Sequence, residues 1–312
     1  YIYFLKKIIN ISKVKLFTFF FVSIFFIICL FIGEFYLKHM GLGNPISYDS
    51  DLAYGYAPKI NQKKNRLKSS TVTINEVGLR SLKNWNSSDR NKILFIGDSI
   101  TYGGSYIDDR KIFSHLVCEE LKNFVCGNAG VNAYSIINMV MRLRYDERIH
   151  DSNIIIITVA PGDFYREYAD SGTAHFYLNE NKLLFPAIME VISFFATKYD
   201  LNRYLSKKNS TNKYNHRNEL IEFSINLLKE EVKNQSKEKK IMVLYTVEKQ
   251  DKESKNDINK KIKTMLENNF EGFFFNLSET LYDDKFFYDG VHYNELGHMA
   301  VSKKIVEILK NF

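Results

Sequence analysis

The chain has 312 residues, of which 45% are hydrophobic, 25% charged and 15% aromatic, enough apolar material for one large core or two modest ones. Four prolines, fifteen glycines and three cysteines exclude a low-complexity linker, a collagen-like fibre and a disulfide-stapled miniprotein. The net charge of +7 is concentrated at one end: residues 1–40 hold five lysines against Glu34, which leaves 38 bases against 35 acids in the other 272 residues, a near-neutral body that argues against nucleic acid as a partner.

Leu16 to Gly33 is a run of eighteen residues without charge. As a helix it covers about 27 Å, close to the hydrocarbon thickness of a bilayer. A buried core helix would keep a polar face, and this run has none. A cleaved signal has a shorter apolar run and a small-x-small site. Here Glu34-Phe35-Tyr36-Leu37 follows instead, so the reading is an uncleaved anchor over residues 16–37. Four lysines precede the run and Lys38 follows it, which places residues 1–15 in the cytoplasm as a basic tail and the rest across the membrane. Cys29 lies within the span. Cys118 and Cys126 are eight apart, and both a disulfide and two buried thiols remain open. No Cys-x-x-Cys pattern or Cys/His cluster suggests a metal.

Residues 38–90 read as an N-terminal extension packed on the main domain: aromatic and turn-rich from Tyr48 to Pro58, polar and basic from Asn61 to Ser70, with a short strand at Thr71–Ile74. From residue 91 the pattern changes. Short apolar runs at 92–96, 124–126, 154–159, 241–245 and 273–275 alternate with helical spacing at 111–123, 135–149 and 294–310. That alternation predicts a parallel sheet covered on both faces, with ligands at the carboxyl ends of its strands. The stretch 164–239 exceeds one crossover and reads as an insertion with an aromatic loop and helices near 187–205 and 216–234. Residues 248–261 read as a charged loop leading into a helix.

Unusual residues sit at the expected strand ends. Gly97-Asp98-Ser99 follows the first run, Gly127-Asn128-Ala129-Gly130 the second and Pro161-Gly162-Asp163 the third, while Asp289-Gly290-Val291-His292 precedes the last helix. A serine hydroxyl is a weak nucleophile and needs a base. Asp and His three apart on one turn supply a base and the carboxylate that orients it. A serine opening a helix has free backbone N–H groups and the positive end of the helix dipole beside it. Gly130 offers a bare N–H as a further oxyanion donor.

These blocks, Phe95 to Gly103, Asn128-Ala129-Gly130 and Asp289 to His298, resemble those of the SGNH/GDSL family of serine hydrolases over about residues 92–310. The resemblance implies a three-layer α/β/α domain over 91–312 with a central, mostly parallel five-stranded sheet of flavodoxin-like layout. It implies Ser99 as nucleophile, His292 as base, Asp289 as its orienting carboxylate, and the N–H groups of Ser99 and Gly130 in the oxyanion hole. The family's third block, Gly-x-Asn-Asp, is Ala160-Pro161-Gly162-Asp163 here, so Gly162 stands where an asparagine donor belongs. Three readings stay open: two donors suffice; Asn128, Asn132 or Arg166 takes the amide's place and touches substrate; or the site is slow or inactive.

The implied activity is a membrane-anchored esterase without cofactor, in the bacterial inner membrane with its catalytic domain outside the cytoplasm. Its substrate is an O-acylated, above all O-acetylated, carbohydrate of the envelope or a secreted polysaccharide, and polysaccharide-biosynthesis proteins are possible partners. The alternatives are an O-acetyltransferase with the same triad and an inactive glycan-binding or assembly module. Tyr165, Tyr168, Phe176 and Tyr177 are candidates for a sugar-stacking platform or for core.

Overall fold

The computed structural model describes residues 13–86, 90–170, 184–198, 213–247 and 257–311. Its centre is a sheet of five parallel strands: β5 (Asn91–Ile96), β6 (Phe124–Asn128), β7 (Ile154–Val159), β8 (Lys240–Tyr245) and β9 (Phe274–Asn276), in the order β6-β5-β7-β8-β9. All six residues of β7 are buried, as are five of six in β5 and in β8. Strands covered on both faces need unbroken apolar runs, which is why Ile93–Ile96 and Ile154–Ile157 stand out in the sequence.

The order reverses at β5, and that reversal sends the crossover helices to opposite faces. One layer pairs α3 (Phe113–Glu120) with α8 (Glu295–Asn311), and the other packs α4 (Ile136–Tyr145) and α7 (Asp257–Asn269) on α6 (Lys213–Gln235). The expected three-layer α/β/α domain is therefore present. Cys118 on α3 and Cys126 on β6 form a disulfide, with Cα atoms 5.8 Å apart, which closes the question of two free thiols.

The extension holds two hairpins that its sequence hides. β1 (Tyr48–Asp51) pairs with β2 (Gly55–Pro58), and β3 (Gln62–Asn65) with β4 (Thr71–Ile74), each antiparallel. Arg80 bridges Ile74 on one side and Asn128 on the other, so the second hairpin continues the sheet beyond the β6 edge.

The N-terminal helix α1 (Lys13–His39) is long and apolar enough to cross a membrane, with a mean hydropathy of 2.8 over its most apolar eighteen residues. Glu34 near its end is buried. Its carboxylate accepts the N–H groups of Ala187 (3.1 Å) and Ile188 (3.0 Å) at the start of α5 (Pro186–Lys198). Arg66 of the extension pairs with Glu190 on the same helix and donates to the Gly41 carbonyl (3.0 Å), while the Gly43 N–H reaches Glu190 (2.7 Å). Of the insertion, residues 171–183, including Phe176 and Tyr177, and 199–212 lie outside the described residues, as does 248–256 of the charged loop.

Candidate active site

Three loops at the carboxyl ends of the strands converge. The first leaves β5 through Gly97 and Asp98 into α2 (Ser99–Tyr102), one turn of helix. Gly97 has no room for a side chain: a Cβ there would stand 2.1 Å from Thr101 Oγ1 and 2.8 Å from the Thr158 carbonyl. Asp98 caps the turn by accepting the Ile100 N–H (2.8 Å), which fixes the backbone that carries Ser99. A four-residue helix builds little macrodipole, so the dipole expected behind Ser99 contributes less than its local N–H groups.

The second loop is a tight reversal before α8. The Tyr288 N–H donates to the His292 carbonyl (2.7 Å), and the Asn294 N–H to the Phe286 carbonyl (3.0 Å). Inside it, one Asp289 oxygen accepts the N–H groups of Val291 and His292, both at 2.8 Å, and the other lies 2.8 Å from His292 Nδ1. His292 Nε2 in turn is 2.9 Å from Ser99 Oγ. A carboxylate cannot donate, so Nδ1 carries the ring proton and Nε2 accepts from the Ser99 hydroxyl. Residues 193 apart in sequence thus form one continuous Asp–His–Ser relay.

Two effects oppose each other at His292. Burial disfavours the charged ring, whereas the hydrogen bond and charge of Asp289 favour it and win, raising the pKa above 6.5. Burial likewise opposes ionisation of Asp289, but its bonds to His292 and to the two N–H groups hold the carboxyl well below its ordinary value. A general base must be neutral, so activity should rise with pH along an acid limb placed above pH 6.5. Asp289→Asn removes the two largest effects that oppose burial and leaves only the Asp98 charge against it. The pH profile of kcat/KM on a small soluble ester should then show the limb moved to lower pH, with turnover reduced about 10⁴-fold. An unmoved limb would mean that Asp289 does not set the base.

The third loop corrects two expectations. The Gly130 N–H is not free: it donates to Asn128 Oδ1 (2.9 Å). Gly130 is needed for close approach, since a Cβ there would lie 2.3 Å from the Tyr102 nitrogen. Asn128 is 1% exposed and spends its amide on the Thr101 carbonyl (2.6 Å) and Ser114 Oγ (3.0 Å), so it braces the loops from beneath and does not meet substrate.

Asn132 is exposed, and its carbonyl accepts from the Tyr56 hydroxyl (2.6 Å). The next residue, Ala133, is half-buried with φ at 66°, the left-handed region that residues with a Cβ avoid. The Val131 N–H bonds the Gly97 carbonyl (3.1 Å), which sets this turn beside the nucleophile's loop. Nothing in the sequence marks Ala133 for this conformation, because alanine carries no left-handed signal.

Arg166 does reach the site. It donates to the Tyr134 carbonyl (2.6 Å) and to Asp163 (3.1 Å), and it stands 3.6 Å from Asp98 with 38% of its side chain exposed. Gly162 and Asp163 are buried in the turn Pro161–Phe164. Burial and the nearby Asp98 charge push the Asp163 carboxyl well above its ordinary range. No amide occupies the Gly162 position.

Tyr165 packs against the core with the Arg217 guanidinium 3.8 Å above its ring, so that face is covered and unavailable to a sugar. The Tyr168 hydroxyl is buried. His298 points inward and accepts the Phe113 N–H (3.2 Å); burial and the Arg80 charge push its pKa down to about 3, so it is a neutral packing residue. A hollow of about 700 Å³ lined by Asn91, Phe124, Ile154 and Lys240 opens at the amino ends of the strands, away from this chemistry.

No family model and no curated protein matches the chain. Solved structures do. A member of the lipolytic G-D-S-L family from Veillonella parvula is 15% identical, with a TM-score of 0.43 over 71% of this chain and 99% of that one. A lipase/acylhydrolase from Enterococcus faecalis is 14% identical, with a TM-score of 0.45 over 71% and 96% of the two chains. An acetyl xylan esterase from Geobacillus stearothermophilus is 15% identical, with a TM-score of 0.42 over 70% and 93%.

Proposed function

We propose that the chain is a membrane-anchored serine esterase of SGNH type that removes O-acyl groups, O-acetyl above all, from a cell-envelope or secreted polysaccharide. The observation that carries this is the relay from Asp289 through His292 to Ser99, at 2.8 and 2.9 Å. Ser99 Oγ attacks the ester carbonyl while His292 Nε2 takes its proton. Collapse of the tetrahedral adduct breaks the bond to the sugar oxygen, which leaves with the proton from His292. Water, deprotonated by the same nitrogen, then attacks the acyl-serine and frees the acid and the serine hydroxyl.

The oxyanion is held by the N–H groups of Ser99 and Ala133, the latter replacing Gly130. Arg166 supplies positive charge on the side where the asparagine is missing. Its charge already opposes protonation of His292, which supports that nearness. The disulfide supports a body outside the cytoplasm, since such bonds persist in oxidising compartments. Residues 16–37 stand in the bilayer, and polysaccharide-biosynthesis proteins are the natural neighbours of such a substrate.

The test is acetate release from an O-acetylated polysaccharide by the full chain, with and without an unacetylated acceptor glycan. Free acetate supports the esterase; ester appearing on the acceptor without free acetate makes the chain a transferase using the same relay. Gly162 and the occupied Gly130 N–H favour a second reading, a glycan-binding module, which predicts glycan retention with neither product.

A further inference from the structure

Beside Asp289 the surface carries a small assembly from three distant segments. Tyr288, next to Asp289, stacks on Tyr106 of the loop after α2, with ring centres 4.2 Å apart and planes 19° apart. Lys68 of the extension places its Nζ 4.2 Å from the Tyr288 ring centre and 5.9 Å from that of Tyr106. Lys68 is exposed, and among the described residues no carboxylate lies within ion-pair distance of its ammonium. Asp289 makes no ion pair with it; its oxygens bond His292 and two backbone N–H groups. Tyr288 is 49% exposed.

The position of Lys68 is built. Lys68 and Ser69 both have φ at 56°, a conformation that costs any residue with a Cβ and that persists only where its surroundings impose it. Here the Arg66 N–H bonds the Ser70 carbonyl (2.7 Å), Ser70 Oγ bonds the Ser105 carbonyl (2.6 Å) and the Thr71 N–H bonds Asp108 (2.9 Å). The partner loop is fixed as firmly. Buried Arg80 holds the carbonyls of Tyr102 and Gly104 (2.8 Å each) and of Ile107 (2.6 Å), and the Tyr106 hydroxyl reaches the Tyr293 carbonyl (3.3 Å). Strain held in place beside a catalytic loop points to use.

We propose that Lys68, Tyr106 and Tyr288 form a glycan subsite for a carboxylate-bearing sugar, with the exposed part of Tyr288, propped by Tyr106, meeting the apolar side of the sugar and Lys68 its carboxylate. This rests on the proposed esterase reading and names its substrate class as an acidic polysaccharide. The exposed part of Tyr288 suits the C–H side of a pyranose, and an ammonium with no ion-pair partner among the described residues discriminates for an anion. A half-exposed ion pair gives modest affinity and strong salt dependence.

The experiment measures binding of an unesterified oligogalacturonide and of a neutral xylo-oligosaccharide to the full chain in detergent, for wild type, Lys68→Ala and Lys68→Arg. The expected result is a three- to tenfold weaker Kd for the acidic probe in Lys68→Ala, about 0.7–1.4 kcal/mol. Lys68→Arg should largely restore it, the neutral probe should be unaffected, and 0.5 M salt should erase the difference. Equal affinity of wild type and Lys68→Ala for the acidic probe, or equal losses on both probes, would overturn the proposal. Covalent labelling of Ser99 by a fluorophosphonate, followed in the same samples, reports separately on the esterase reading, since binding to Lys68 requires no turnover.

Discussion

Ser99→Ala should abolish fluorophosphonate labelling of the full chain and lower ester turnover about 10⁴-fold. The reagent reacts with a serine only when a base removes its proton, and the base is in place: His292 Nε2 lies 2.9 Å from Ser99 Oγ. Removal of a triad nucleophile costs about 10⁶-fold in fully equipped serine enzymes. An oxyanion hole lacking one donor starts about 10²–10³-fold lower, so the drop that remains to be lost is smaller here. Gly162 therefore sets the size of the effect without changing its direction. His292→Ala should give the same loss of labelling, and the double variant should be no worse than either single one, because the two residues act as one unit. Labelling that survives Ser99→Ala would place the reactive serine elsewhere and remove the basis of the esterase reading.

Arg80→Met should destabilise the body by about 3–5 kcal/mol, because it strands a buried carboxylate and three carbonyls, two of them buried. The guanidinium is fully buried, bonds Asp109 at 2.8 Å and the carbonyls of Tyr102, Gly104 and Ile107, and stacks 5.0 Å from the centre of the Tyr102 ring. These partners line the loop that runs from the nucleophile's helix to Tyr106. Urea titration should show the lowered midpoint, and thermal melting should fall by roughly 10 °C for a body of this size. Arg80→Met with Asp109→Leu should recover part of the loss, since no charge is then left alone. An unchanged midpoint would mean that the extension is dispensable to the fold.

The parts of this molecule legible in its sequence share a cause. β5, β7 and β8 are covered on both faces, so their runs are unbroken and visible. Asp289 and His292 lie within one turn, so their contact is local and spacing reveals it. Ser99 is found only by its place after a buried strand. What stayed hidden depends on distant partners. β1 and β3 read Tyr-Asp-Ser-Asp and Gln-Lys-Lys-Asn, with no apolar alternation, and exist because a neighbouring strand completes their hydrogen bonds. Gly130 looked free because nothing in its surroundings announces that Asn128 folds back on it. Lys68 is one lysine in a basic stretch until Tyr106 and Tyr288 arrive beneath it from two other loops.

The seating of Glu34 on the start of α5, with Arg66 and Glu190 beneath it, turns the N-terminal helix from a tether into a mast. A domain on a slack linker sweeps a volume and can reach for scattered esters. A domain braced against its own helix carries the nucleophile at one height and one bearing. With the helix in a bilayer and a polymer as substrate, as proposed above, such a site would work as a fixed station to which the substrate must be brought. Loosening the brace, for example by Glu34→Ala, would free that height and bearing without touching Asp289, His292 or Ser99.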